Sequence, residues 1–314
     1  MKSAQAPPGG TNSSPKKQLQ CAIAMSMTPY ESKPVPPTGH GITLQTLRRA
    51  VRDAEPFACL TCYDATTARW LERAGVPLLL VGDTAAEMIL GEPGTIHAPL
   101  DFMLLLTAAV KRGAPNTFVM GDMPFGSYQC DDAEAIGNAM RFLTEGRADA
   151  VKLEVDGDWT PLVAKLARAG VPVVAHLGSR PQCAKQEGGY RSAGRTPEAL
   201  QAIVDDAIAM EAAGASMILL EAVPNEVSTA VVEATTVPVI GCGAGTACHG
   251  QIVVTQDLLG LTDWQPAFAQ PIAAMGTALV DAATTWRRKV SEGNLGTHPY
   301  QMKCSQMPST SVRK

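Results

Sequence analysis

The sequence predicts a (β/α)8 barrel, and three observations carry that prediction. Short apolar runs alternate with amphipathic segments along most of the 314 residues. The runs are apolar on both faces, as parallel strands covered by helices must be. Four of them end on an acid or carry one near their end: Asp83 in "LLLVGDT", Asp122 in "FVMGDM", Glu154 in "AVKLEV" and Glu221 in "MILLEA". The active site of such a barrel gathers at the C-terminal strand ends, so one architecture explains all four. A doubly wound open sheet is the competing fold, because counting strands does not separate the two.

The elements follow in order. "TLQTLRRAVRD" opens the periodic region, "FACLTCYD" reads as a strand and "ATTARWLERAG" as its helix. "PLLLVGD" is followed, after a long loop, by "PLDFMLLLTAAVKRG". "TFVMGDM" precedes "DDAEAIGNAMRFLTEG", "AVKLEV" precedes "TPLVAKLARAG", and "PVVAHLG" precedes "TPEALQAIVDDAIAMEAAG". "SMILLEA" precedes "NEVSTAVVEATT", "PVIGCGAG" and "GQIVVTQDLLGL" come next, and "PIAAMGTALVDAATTWRRKVSEG" closes the series. Thr160 before Pro161 and Thr196 before Pro197 predict N-caps with proline at the first helical position. Segments ending "RAG", "KRG" and "AAG" carry the usual glycine stop. The barrel is expected over residues 43–297. Residues 1–42, rich in Pro, Gly, Ser and Lys, read as a disordered extension, and residues 298–314 as a C-terminal tail.

Composition narrows the class. Hydrophobic residues make up 46% of the chain and charged ones 18%, at a net charge of -4. No basic stripe marks a nucleic-acid partner. No apolar stretch reaches the roughly 18 residues of a membrane span, and "CAIAMSM" is too short for a signal core. The eight cysteines are scattered through strands and loops, unlike a dense secreted disulfide scaffold. They read as reduced thiols of a cytoplasmic protein. "CLTC", Cys59 to Cys62, is a bare pair whose members face opposite sides of a strand.

A single acid after a strand is as often a cap as a site residue. Three clustered carboxylates raise one another's pKa, and a divalent cation relieves the repulsion. Oxygen-only ligands favour Mg2+, which keeps waters and takes few carboxylates. Asp83, Asp122 and Glu154 therefore read as a metal cluster, direct or through water, and Glu221 as a free base. Removing Asp83 or Asp122 is expected to relieve repulsion and raise the stability of the metal-free protein. Lys152, on the same strand face as Glu154, reads equally as a paired buried charge or as a stabiliser of substrate charge. His176 in "VVAHLG" divides the same way, between a hydrogen-bonded core residue and a binding or proton-transfer group. "QEGGYRSAGR" reads as a solvated loop or as a cover over the mouth, offering Tyr190 and Arg195. "GCGAGT" lacks dinucleotide spacing and reads as a tight turn or an anion-holding one.

Nine stretches in one order, "LTCYDATTARWLERAG", "LLLVGDT", "AAVKRGAPN", "GDMPFGSY", "VKLE", "AHLGSRPQ", "GGYRSAGR", "LLEAVP" and "PVIGCGAG", give the chain a resemblance to the ketopantoate hydroxymethyltransferases over roughly residues 43–290. That resemblance implies a barrel of the phosphoenolpyruvate mutase/isocitrate lyase-like group. It implies transfer of a hydroxymethyl group from 5,10-methylenetetrahydrofolate to 3-methyl-2-oxobutanoate, giving 2-dehydropantoate on the route to pantothenate, and a homo-oligomer, commonly a decamer. It matches Asp83, Asp122 and Glu154 to the family's magnesium acids, His176 to a substrate contact and Glu221 to the general base. Chelation of Mg2+ by the 2-oxo acid would acidify its C3 proton, Glu221 would remove it, and Lys152 would help hold the charge. Thr84 would donate to the substrate carboxylate. The chain departs from the family where "GDTAAEM" replaces "GDSLGM", which adds Glu87, and where "GAGTACHGQ" places Thr246 and His249. These departures bear on the side-chain pocket and the folate contacts.

Two other readings compete. One is a magnesium-dependent 2-oxo acid lyase or mutase of the same barrel group. An isocitrate-lyase type would carry a catalytic Cys in a "KKCGH"-like loop, which this chain lacks. The other is a non-catalytic ligand-binding barrel, which would be expected to lose the base that is present here as Glu221.

Overall fold

The computed structural model describes residues 41–300, so the extension over 1–42 and the tail over 298–314 lie almost wholly outside the described residues. Helix α1 (Leu44–Arg52) starts at Thr43, whose hydroxyl and Thr46 form a capping box. Then come β1 (Phe57–Thr61), α2 (Ala65–Arg73), β2 (Leu78–Val81), the short α3 (Ala85–Met88) and α4 (Leu100–Gly113). They are followed by β3 (Phe118–Asp122), α5 (Asp132–Thr144), β4 (Ala150–Glu154), α6 (Thr160–Arg168) and β5 (Val173–Gly178). Next are α7 (Ala184–Glu187), α8 (Pro197–Ala212), β6 (Met217–Glu221) and α9 (Asn225–Ala234). Strands β7 (Val239–Cys242) and β8 (Gly250–Val253), then α10 (Thr255–Leu258) and α11 (Met275–Ser291), complete the series.

The eight strands pair in sequence order, all parallel, and β8 closes on β1. The open-sheet alternative is excluded. Closure is reinforced where the Thr255 backbone N–H donates to the Thr61 hydroxyl at 3.0 Å and the Thr255 hydroxyl bonds the Thr61 carbonyl.

Strand alternation divides the core in two. Inward positions Phe57, Cys59, Leu78, Leu80, Phe118, Met120, Ala150, Val174, Met217, Leu219, Ile240 and Ile252 fill the barrel, with Leu47 of α1 packed among them. Outward positions such as Leu79, Val119, Val151, Leu153, Ala175 and Ile218 meet the helices. Cys59 falls in the inner set and Cys62 in the outer one, as their spacing requires. The caps divide. Thr196 accepts from the Ala199 N–H, as predicted. Thr160 is not a cap: it is already helical, and its hydroxyl donates to the Gly157 carbonyl of a preceding 3-10 turn.

The wall is not uniform. Strands β2, β3 and β4 are buried throughout, and β5 and β6 up to their last residue. On the other side, outward-facing Ala58 of β1 and Gln251 of β8 are exposed. No helix intervenes between β7 and β8. The final helix, α11, has no buried residue, although Met275, Leu279, Trp286 and Val290 line up at helical spacing. The sequence likewise runs from "PVIGCGAG" into "GQIVVTQDLLGL" without an amphipathic segment between them.

Candidate active site

One further step along the same alternation, the inward positions turn polar. Asp122 follows Met120 on β3, Lys152 and Glu154 follow Ala150 on β4, His176 follows Val174 on β5, and Glu221 follows Leu219 on β6. Register sets them side by side, with Asp122 opposite Lys152 and Glu154 opposite His176. Asp83 lies just past β2. All of them line one cavity of about 420 Å³ at the C-terminal mouth.

Asp83 and Asp122 are hydrogen-bonded neighbours, the Asp83 N–H donating to Asp122 Oδ2 at 3.1 Å. Lys152 Nζ sits 2.7 Å from the same oxygen, and both side chains are buried. Burial, and then the Asp83 charge opposing Lys152, push the Asp122 carboxyl up to about 7. Burial also raises Glu154 well above its ordinary value. Lys152 stays charged: burial works against it, but Asp122, Asp83 and Glu154 together hold its pKa above the ordinary lysine range.

The ammonium settles the histidine tautomer. Lys152 Nζ lies 3.2 Å from His176 Nδ1. An ammonium only donates, so Nδ1 accepts and the ring proton sits on Nε2. Burial and Lys152 hold the ring neutral, well below its ordinary pKa. Among the described residues Nε2 has no hydrogen-bond partner, and it stands 3.5 Å from Glu221 Oε2. Glu221 keeps 25% of its side-chain surface, and burial pushes its carboxyl up to about 7. Beside it, Gly178 has φ 95°, and a Cβ there would lie 2.5 Å from the Glu221 carbonyl oxygen, so only glycine permits this approach. Ala222, immediately after Glu221, occupies the left-handed region at φ 49°, where a non-glycine residue is strained.

Among the described residues, no three His, Cys, Asp or Glu side chains converge closely enough to ligate one ion together. The reading in which all three acids bind directly is thereby narrowed. Two orphaned acceptors remain, Asp122 Oδ1 and Glu154 Oε1, both buried without a partner among the described residues. Adjacent carboxylates with spare oxygens suit Mg2+ held by one or two acids, with water completing its shell.

Sequence reasoning missed Gln182. Its amide donates to Asp83 Oδ2 at 2.9 Å and its backbone N–H to Glu154 Oε2 at 2.9 Å. Its carbonyl takes the Tyr128 hydroxyl at 2.8 Å. One residue thus spans two of the acids, Asp83 by its side chain and Glu154 by its backbone N–H, and its position in "GSRPQ" just past a strand exit was the available signal. Thr84 lines the cavity with its hydroxyl 2.6 Å from that of Tyr63. Tyr190 also lines it. Arg195 does not; it is exposed, and Arg191 takes the place at the cavity. Neither Thr246 nor His249 lines it, and His249 Nδ1 is used in accepting the Val239 N–H at 3.0 Å.

Residues 41–298 match the family model described as ketopantoate hydroxymethyltransferase. A 3-methyl-2-oxobutanoate hydroxymethyltransferase of Frankia casuarinae is 42% identical over 278 residues, covering 87% of this chain and 94% of its own. One of Shouchella clausii is 46% identical over 218 residues, covering 69% and 78%. Among solved structures, 2,3-dimethylmalate lyase, a PEP mutase/isocitrate lyase superfamily member, superposes with a TM-score of 0.54 at 19% identity, covering 82% of this chain and 91% of its own. Phosphonopyruvate hydrolase in complex with oxalate and Mg2+ gives 0.55 at 16% identity, covering 80% and 88%. These two show the shared barrel fold.

Proposed function

The chain belongs to the ketopantoate hydroxymethyltransferase family, and from that premise we propose how its barrel mouth makes 2-dehydropantoate from 3-methyl-2-oxobutanoate and 5,10-methylenetetrahydrofolate. Glu221 is the general base, and the observation that carries this role is its setting. It is the half-buried acid on the cavity wall, lifted to about 7 and clear of Lys152's direct pairing with Asp122. A base near the working pH combines a useful ionised fraction with real proton affinity.

Asp83, Asp122 and Glu154 would hold Mg2+, directly or through water. When bound, the ion supplies Lewis acidity toward the carbonyl of the 2-oxo acid. Thr84 orients the substrate carboxylate. Glu221 takes the proton from C3, while Lys152 and the Nε2–H of His176 stabilise the negative charge that develops on oxygen. C3 then bonds to the methylene carbon of the co-substrate as that carbon's bond to N10 breaks, water supplies the hydroxyl as its bond to N5 breaks, and the C3 proton and one water proton end on the two nitrogens of the departing tetrahydrofolate.

The test is hydrogen exchange at C3 of 3-methyl-2-oxobutanoate in deuterated water with Mg2+. Exchange is expected, and Glu221→Gln should slow it roughly 10²–10⁴-fold. A protein that catalyses no exchange does not form the enolate, and the mechanism fails. The lyase or mutase reading shares the metal chemistry, so turnover against other branched 2-oxo acids separates the two.

The wall of the barrel supports assembly with further copies of the chain, the decamer being the form the family suggests. The apolar stripe of α11 and the uncovered β8–β1 face are both surfaces that parallel barrels bury. Among the described residues no helix is long and apolar enough to cross a membrane. The buried free thiols, such as Cys59 and Cys62, favour the cytoplasm.

A further inference from the structure

We propose that the upper rim of the cavity is a pteridine subsite, in which Asp257 receives the N3–H and 2-amino edge of the folate and Tyr190, Trp264 and Phe268 offer it aromatic faces. This deepens the hydroxymethyl-transfer reading and rests on it.

The cavity has two storeys of different chemistry. Its floor carries Lys152, a cation to meet the anionic 2-oxo acid. Its rim carries Glu87 and Asp257 together with the exposed Arg191, and neither acid enters an ion pair among the described residues. Burial, then the charges of Asp83 and Asp257, raise the Glu87 carboxyl, so the two rim acids feel each other. An acidic rim repels a 2-oxo acid. It suits a neutral ring that presents N–H donors, because a carboxylate takes two parallel N–H bonds at once. The Asp257 carboxylate is 6% exposed and held by the Thr262 hydroxyl, 2.7 Å from Oδ1, so it is fixed in place before a ligand arrives.

Thr95 supplies an independent sign of a missing partner. It is 2% exposed, lines the same cavity and has a hydroxyl with no hydrogen bond. A buried hydroxyl left unpaired is costly. A pteridine bears a carbonyl and ring nitrogens beside its donor edge, the kind of acceptor that the Thr95 hydroxyl lacks. The stacking surface is present too. Tyr190, Trp264 and Phe268 border the cavity and are all exposed, as flat rings awaiting a flat partner are. Gly243 makes room for one of them, since a Cβ there would lie 2.5 Å from the Phe268 ring.

The test compares tetrahydrofolate with its 2-desamino-2-methyl analogue, by calorimetric titration of the full chain with Mg2+. The unsubstituted protein should bind the analogue about tenfold more weakly, one lost charge-assisted pair. Asp257→Asn should weaken tetrahydrofolate about tenfold and bind the two ligands alike, which a merely structural role for Asp257 would not produce. Trp264→Ala should weaken both ligands equally. Equal binding of both ligands by the unsubstituted protein, or no binding of tetrahydrofolate, overturns the subsite. Should Asp257→Asn not fold, the analogue comparison on the unsubstituted protein decides. C3 exchange without folate keeps the two readings apart: its absence sinks the transferase mechanism, and its presence beside analogue-blind binding sinks only the subsite.

Discussion

On β3, Phe118 and Met120 point inward among apolar neighbours near the bottom of the barrel, and Asp122 points inward at the top. The same strand, at the same alternation, thus serves two opposed environments. The lower layers gain stability from every buried methyl group. The upper layer buries Asp122, Lys152, Glu154 and His176; burial lifts the two carboxyls and lowers the histidine, while Lys152 stays charged against its burial through the acids around it. Stability is collected at one end of the barrel, and it supports strained electrostatics at the other.

Five measurements would break or sharpen that contrast. The largest effect belongs to the bottom layer. Phe118→Ala should cost about 3–5 kcal/mol of stability, read from denaturant midpoints, and leave C3 exchange intact while the protein stays folded. At the top, Asp122→Ala should also cost about 3–5 kcal/mol, because it strips the buried Lys152 of its partner. That reverses the expectation drawn from repulsion alone. Asp83→Ala removes a like charge without unpairing Lys152, so thermal melting of the metal-free protein should be unchanged or slightly higher while Mg2+-dependent exchange is lost. Equal destabilisation by the two aspartates would contradict the assignment of Lys152 to Asp122. Smaller still, Gln182→Ala should lower Mg2+ affinity or activity roughly 10–100-fold, as supporting-shell changes do, with the C3 proton still exchanging slowly.

The smallest effect is on pH dependence. Glu221 binds its proton more tightly in the folded chain, at about 7 against an ordinary 4.5. Below 4.5 the group is protonated in both states and contributes nothing. As pH rises from 4.5 to 7 the unfolded chain releases the proton first, so stability falls, by roughly 1–3 kcal/mol when complete. Glu221→Gln should remove that part of the slope between pH 5 and 7.5, while exchange by the unsubstituted protein should rise through about pH 7. An unchanged slope would mean that Glu221 titrates normally.

Much of the mouth was legible in the sequence because its signal is local. An acid closing an apolar run announces both a strand and its C-terminal end, so Asp83, Asp122, Glu154 and Glu221 could be placed before any coordinates. His176 needed only its strand. Gln182 was not legible as a bridge, because its partners lie 99 and 28 positions away and nothing local points to them. Thr160 misled for a related reason: a Thr-Pro pair reads as a cap unless a 3-10 turn takes the hydroxyl first. The bare wall at β8 was hidden as well, since the amphipathic pattern of α11 shows that it has an apolar face but not what that face meets.

Closure of β8 onto β1 has a consequence for synthesis. The two strands that must pair come from opposite ends of the barrel sequence, and the Thr61–Thr255 latch joins residues 194 positions apart. Until the last strand leaves the ribosome, β1 keeps an open edge, and open edges invite aggregation. A nascent chain stalled before Gly250 therefore carries nearly the whole catalytic constellation in a sheet that cannot yet shut.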